Sequence, residues 1–222
     1  EFLKKKKGNQ LSIISKVNNK KAYEDIFFTY DHKFKLNQKN KSIKLVFKLK
    51  DNKFIKDSTT KYLFSFFRLE VKTGLFFYIH APLELNLDRT QPKDDQDNEF
   101  IISECFKAIK SCFLLLKHKK YINASFLNIL PNESDERPES SYKNFFSDVR
   151  EYIQKIFKKE SLWPYETSDF VKAEDVYLHH EVTKNFFKKT DLRICTHKTK
   201  SWSINIDEKK YPRNSQLVND LS

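Results

Sequence analysis

A chain of 222 residues, 39% hydrophobic and 15% aromatic, can bury roughly 70% of its unfolded surface, which reads as a folded globular chain rather than a disordered one and leaves room for one large domain or two small ones. No apolar run approaches the ~18 residues of a membrane span and no secretory leader is visible, so the sequence predicts a soluble protein with no membrane partner. The formal charge of +12 admits weak nucleic-acid contact, yet the excess is lysine, as AT-rich coding produces, whereas base readers favour arginine.

The first third reads as β-structure. "QLSIIS", "EDIFFTYDHKFKL" and "KSIKLVFKLK" are rich in β-branched and aromatic residues and are separated by the turn-like "KVNNKK" and "NQKNK". Leu45, Phe47 and Leu49 alternate with polar residues, which predicts one buried and one solvated face. Lys4–Lys7 read as a solvated edge. "YLFSFFRLE" reads as one largely apolar strand, and a turn at Gly74 sends the chain back through "LFFYIHAPLEL". Gly74, one of only 2 glycines, suits a positive φ.

The period then changes. Ile102, Cys105, Phe106, Ile109, Cys112, Phe113 and Leu116 recur at helical spacing, predicting a helix over 97–119 with Asp94, Asp95, Asp97 and Glu99 at its start and "KHKK" at its end. A carboxylate cluster there is explained by capping. "PNESDERPESS" is a polar loop, and Phe145, Val149, Tyr152, Ile156 and Phe157 predict a second helix over 141–159. "LWPYETSDFVKAEDVYLHH" reads as a short hairpin with a strand, "RICTHKTKSWSINI" as one or two more strands, and the last dozen residues as frayed.

Strands followed by segregated helices predict an α/β (α+β) chain. We divide it into a 1–131 domain, with a sheet and the long helix, and a 132–222 subdomain of one helix and small strands. The 3 cysteines form no CxxC pair. Cys105 and Cys112 lie seven apart on the apolar stripe as core residues, and the odd count suits a reducing cytoplasm. His179 and His180 are adjacent and on a strand would face opposite ways, so no metal site is predicted. No Walker loop, GxGxxG, HExxH or nucleophile elbow is present. The chain holds no methionine and opens on Glu-Phe-Leu, so it reads as a fragment of something larger.

One stretch carries a resemblance. "YLFSFFRLEVKTGLFFYIHAPLELNLDRTQP" resembles the region that follows the ATP-binding domain in GHKL-type ATPases, above all the sacsin-like branch related to the ninety-kilodalton heat-shock chaperones. Thr73, Gly74, Leu75, Phe77, Ile79 and Ala81 match the family's strand-and-turn pattern in order. Phe76 replaces its proline, Tyr78 its histidine and His80 its asparagine, and Thr90 stands where a second arginine often follows Asp88–Arg89. "LELNLDRT" is similar to a run in the chaperone middle domain, and "SLWPYETSDFVKAEDVYL" to a later family pattern.

The resemblance implies a transducer or middle domain with the left-handed βαβ fold of a small-subunit ribosomal protein, followed by a small subdomain. It implies that Arg89 contacts the γ-phosphate of ATP, with Thr73, Gly74, Asn86 and Asp88 shaping the motif and its loop. ATP and Mg2+ would be held only by the missing preceding domain, which is the expected partner beside a client protein. The parent would be an ATPase of chaperone-like or antiviral-defence character, and this fragment alone would not be catalytic. Two alternatives stay open. Arg89 pairs with Asp88 or with the acidic run Asp94–Asp97, or the chain is a non-catalytic basic module for nucleic acid or an acidic protein.

Overall fold

A computed structural model of the chain describes residues 2–17, 20–57, 62–132, 135, 145–165, 169–177, 201–202, 213–214 and 217. It is a mixed α+β protein with a mostly antiparallel main sheet, and it divides into two compact units, Glu1–Cys112 with Glu136–Ser147, and Phe113–Asp135 with Asp148–Ser222.

The first unit begins with a meander of β1 (Phe2–Lys7), β2 (Gln10–Val17), β3 (Lys20–Leu36) and β4 (Lys39–Lys50). Asn37 and Gln38, at φ +48° and +63°, join β3 to β4. Two left-handed residues give a hairpin turn whose twist matches its strands. Asp51 and Asn52 repeat the device before β5 (Lys53–Phe54). Lys4–Lys7 are exposed on β1, the outermost strand at one end of the sheet.

The segment read as one strand over Tyr62–Glu70 is in fact a hairpin. Phe66, at φ +63°, breaks it into β6 (Tyr62–Ser65) and β7 (Phe67–Lys72). No glycine or proline marks this reversal, so turn chemistry gives no warning of it. Gly74 does take a positive φ, +67°. The chain then crosses to β8 (Tyr78–His80), which lies antiparallel to β4 and parallel to β6. Among the described residues the sheet order is β1-β2-β3-β4-β8-β6-β7, with β5 on β4.

Helix α1 (Gln96–His118) covers one face of this sheet. Asn37 donates to Asp97, Phe34 meets Phe100, His32 meets Glu104, and Tyr30 reaches Ser111. Ascending β3 therefore meets descending α1, and the two run antiparallel. The covered face carries Phe28, Ile43, Leu45, Phe47, Leu63 and Ile79, all fully buried. From the helix come Ile101, Cys105, Ala108, Ile109 and Cys112; Ile101 takes the buried place that the periodicity gave to Ile102. Burial pushes both thiols up, Cys105 to about 12, so neither is a nucleophile.

The second unit takes the end of α1, the one-turn α2 (Ala124–Leu127) and most of α3 (Phe145–Lys159). A hairpin follows, β9 (Trp163–Tyr165) with β10 (Asp169–Val171), then a 3₁₀ turn and β11 (Val176–Tyr177) parallel to β12 (Ser201–Trp202). Phe113, Phe126, Phe157 and Trp163 meet edge to face with centroids 5.2–6.3 Å apart. Arg213, Asn214 and Leu217 are built into this unit where the sequence reads as frayed. Cys195, His179, His180 and the predicted helix start at 141–144 lie outside the described residues.

Candidate functional site

The connection from β7 to β8 sets the chain's direction into the site. Thr73 is buried and its Oγ1 accepts the Leu75 N–H at 3.3 Å, while Gly74 supplies the left-handed turn. Leu75, Phe76 and Phe77 then enter the core, with Phe77 stacked on Phe47 at 4.8 Å. Thr73 and Gly74 thus position β8 and do not line the cleft described below.

Beyond β8 an extended segment reaches a compact loop. Leu85 and Pro92 form an antiparallel bridge at its neck. The Asn86 N–H donates to the Gln91 carbonyl (3.0 Å), the Arg89 N–H to the Asn86 carbonyl (2.9 Å), and the Thr90 N–H to Asp88 Oδ1 (3.0 Å). The Glu70 N–H donates to the Thr90 carbonyl at 3.1 Å, which ties the loop to β7, the outermost strand at the sheet's other end. Below the neck, buried Asn98 bonds the main chain of both Glu84 and Lys93.

Arg89 sits exposed on this loop at φ +58°. A non-glycine residue is held there only when its surroundings dictate it, and the loop's hydrogen bonds do so. Its side chain has no hydrogen-bond or ion-pair partner among the described residues. Asp88 is used by Thr90, Asp95 caps α1 through the Asn98 N–H, and Asp97 accepts from Asn37. Arg89 is therefore paired neither with Asp88 nor with the acidic run.

An open cleft of about 550 Å³ lies beside it, lined chiefly by Phe66, Phe67, Leu85, Leu87, Arg89 and Lys93. Phe66 is 82% exposed and Leu87 fully exposed. The Phe66 N–H donates to His80 Nε2 at 3.2 Å. Burial, with Lys44 nearby, lowers the His80 pKa, so the neutral ring is the acceptor.

Arg89, Asn86 and Asp88 come together on one loop, with Thr73 and Gly74 apart from it. Sequence reasoning missed Phe66, Phe67, Lys93 and Asn98; only the polar Asn98 beside the apolar stripe of α1 hinted at a buried hydrogen-bonded role. Among the described residues no cluster of three or more His, Cys, Asp or Glu is placed to hold a metal ion, and no helix is long and apolar enough to cross a membrane. No protein-family model, curated protein or solved structure matches the chain.

Proposed function

We propose that this chain is the transducer or middle domain of a GHKL-type ATPase of the sacsin-like branch. Arg89 serves as its γ-phosphate sensor. ATP and Mg2+ are held by the preceding domain of the parent protein, so this chain binds neither alone. The observation that carries the reading is an exposed arginine whose side chain has no partner among the described residues, on a loop fixed by its own main-chain hydrogen bonds and tied to the edge strand β7. The run from Thr73 to Arg89 supports it, as does the succession of sheet and long helix.

The chemistry follows from the guanidinium. A planar fork matches a phosphoryl oxygen pair better than an ammonium point charge. Placed at the γ-phosphate it neutralises charge that develops during transfer, a contribution of roughly 10³–10⁵ in rate for such fingers. Because it engages only the third phosphate, it also couples the nucleotide state to the position of this domain, through which a client or partner protein is moved. A loop already rigid loses little entropy when the contact forms.

The test is ATP turnover by the parent protein, wild type against Arg89→Ala and Arg89→Lys. The reading requires a fall of about two orders of magnitude or more for Arg89→Ala, with ATP affinity largely kept. Unchanged turnover removes Arg89 from the reaction and the transducer reading with it.

A further inference from the structure

The sheet has a second face, turned away from α1. Strand register sets Asp31 beside Lys44, Lys33 beside Ser42, Lys44 beside His80, Val46 beside Tyr78, and Phe64 beside His80. These residues alternate with the buried Ile43, Leu45, Leu63 and Ile79, so they all lie on the open face. Tyr62 and Phe64 share it by the same alternation along β6.

The composition of that face is unusual for a solvated surface. Tyr62, Phe64, Tyr78 and His80 are only half-buried. The rings of Phe64 and Tyr78 meet edge to face at 5.5 Å, those of Phe66 and His80 at 5.9 Å, and the Arg68 guanidinium lies 4.7 Å from the Tyr62 ring centre. Lys33, Lys35, Lys44 and Arg68 are exposed around them. The acids facing these groups are Asp31, answered by Lys6 and Lys44, Asp25 and Asp57, answered by Lys48, and Glu70, which lies on β7 between Arg68 and Lys72. With those acids offset, Lys33, Lys35 and the surplus of Arg68 and Lys72 over Glu70 leave the face positive.

Flat rings set among cations fit a ligand that offers π-faces and negative charge together. We infer that this open sheet face binds single-stranded nucleic acid, with bases stacked on the Arg68 guanidinium that caps Tyr62, on Phe64 and on the Phe66–His80 pair, and phosphates on Lys33 and Lys35. A duplex keeps its base faces covered by their neighbours and offers no such stacking. An acidic polypeptide would satisfy the cations but leave the rings unused. The site does not include Arg89 and does not rest on the ATPase reading.

The test is fluorescence anisotropy of a labelled 15-nucleotide oligo-dT titrated with the 222-residue chain at about 50 and 200 mM salt. Wild type is expected to bind it, and to bind a duplex of equal length more weakly. Tyr62→Leu and Phe64→Leu, checked for folding by circular dichroism, should each weaken binding roughly fivefold to a hundredfold, the weight of one base–aromatic stack. Lys33→Gln should reduce the salt slope by about 0.7. Should one aromatic variant fail to fold, the other and Arg68→Gln, on the exposed rim, carry the same test. No binding at low salt overturns the proposal, as does binding indifferent to the aromatic variants. Displacement by polyglutamate at equal charge would likewise overturn it, in favour of an acidic protein partner.

Discussion

Asn98 holds both main-chain groups of Glu84: its Oδ1 accepts the Glu84 N–H at 2.9 Å and its Nδ2 donates to the Glu84 carbonyl at 2.8 Å. The same Nδ2 donates to the Lys93 carbonyl at 2.8 Å, and the Lys93 N–H closes the square onto the Glu84 carbonyl at 2.9 Å. One fully buried amide thus seals the neck of the Arg89 loop and fastens it to the first turn of α1. Movement of Arg89 is thereby linked to the helix beneath it.

Asn98→Leu removes one acceptor and one shared donor, leaving main-chain groups of Glu84 and Lys93 without that partner. Each orphaned buried group costs about 1–3 kcal/mol, so a loss of roughly 2–4 kcal/mol in urea unfolding is expected. Asn98→Asp should be no better, since a carboxylate cannot donate to either carbonyl. Under the proposed transducer role both variants should lower the parent protein's ATP turnover with Arg89 intact. A stability change under about 0.5 kcal/mol, the range of an ordinary surface substitution, would show that the clamp is dispensable.

The parts of this architecture that are periodic were legible. Alternation through Leu45, Phe47 and Leu49 gives the buried face of β4, and the spacing of Cys105, Ile109 and Cys112 gives the covered side of α1. Arg89 stood out because arginine is scarce and because of the motif before it. What stayed hidden depends on partners far along the chain. Asn98 is satisfied by a backbone 14 residues away, Phe66 turns because β6 and β7 pair, and the lysine run of β1 is a strand only because β2 lies beside it. A local reading sees none of these, since propensity is weak where tertiary pairing decides.

Phe66 is held at φ +63° with 82% of its surface exposed. A left-handed conformation costs a residue with a Cβ about 1–2 kcal/mol that glycine does not incur. Comparing Phe66→Ala with Phe66→Gly separates backbone strain from loss of the ring. The glycine variant should be the more stable by about 1 kcal/mol, against the usual order, in which glycine costs about 0.5–1 kcal/mol relative to alanine. Equal thermal midpoints would show that the turn is not strained.

Glu104 joins His32 and Lys107 on the covered side of the sheet, at 2.8 Å and 2.5 Å. Burial pushes its carboxyl up, but the hydrogen bonds from Lys107 and His32 outweigh burial and hold it below its ordinary 4.5. The folded state therefore binds fewer protons than the unfolded chain, so this stability is present above 4.5 and is lost as pH falls through the lower folded value. Glu104→Gln should cost roughly 1–3 kcal/mol at pH 7. Its urea midpoint should also fall less steeply than wild type below about pH 5. Parallel pH profiles for the two proteins would remove Glu104 from the acid transition.

Arg213 organises the second unit through four polar contacts. Its Nε donates to the Asn128 carbonyl at 3.0 Å, its Nη2 to the Leu130 carbonyl at 2.7 Å, and both terminal nitrogens to the Asp135 carboxylate. Both side chains of the pair are about nine-tenths buried, at 12% and 9% exposure. Removing one partner of such a pair strands the other charge and costs about 3–5 kcal/mol. Arg213→Ala should therefore destabilise the unit by that amount. Arg213→Lys should recover only part of it, because one ammonium cannot reproduce a fork that serves a carboxylate and two carbonyls at once. Asp135→Asn in the Arg213→Ala background tests the pairing itself: with the stranded carboxylate neutralised, the double variant should be more stable than Arg213→Ala alone. A double variant less stable than the single would mean that Arg213 acts through the carbonyls of Asn128 and Leu130, with Asp135 incidental.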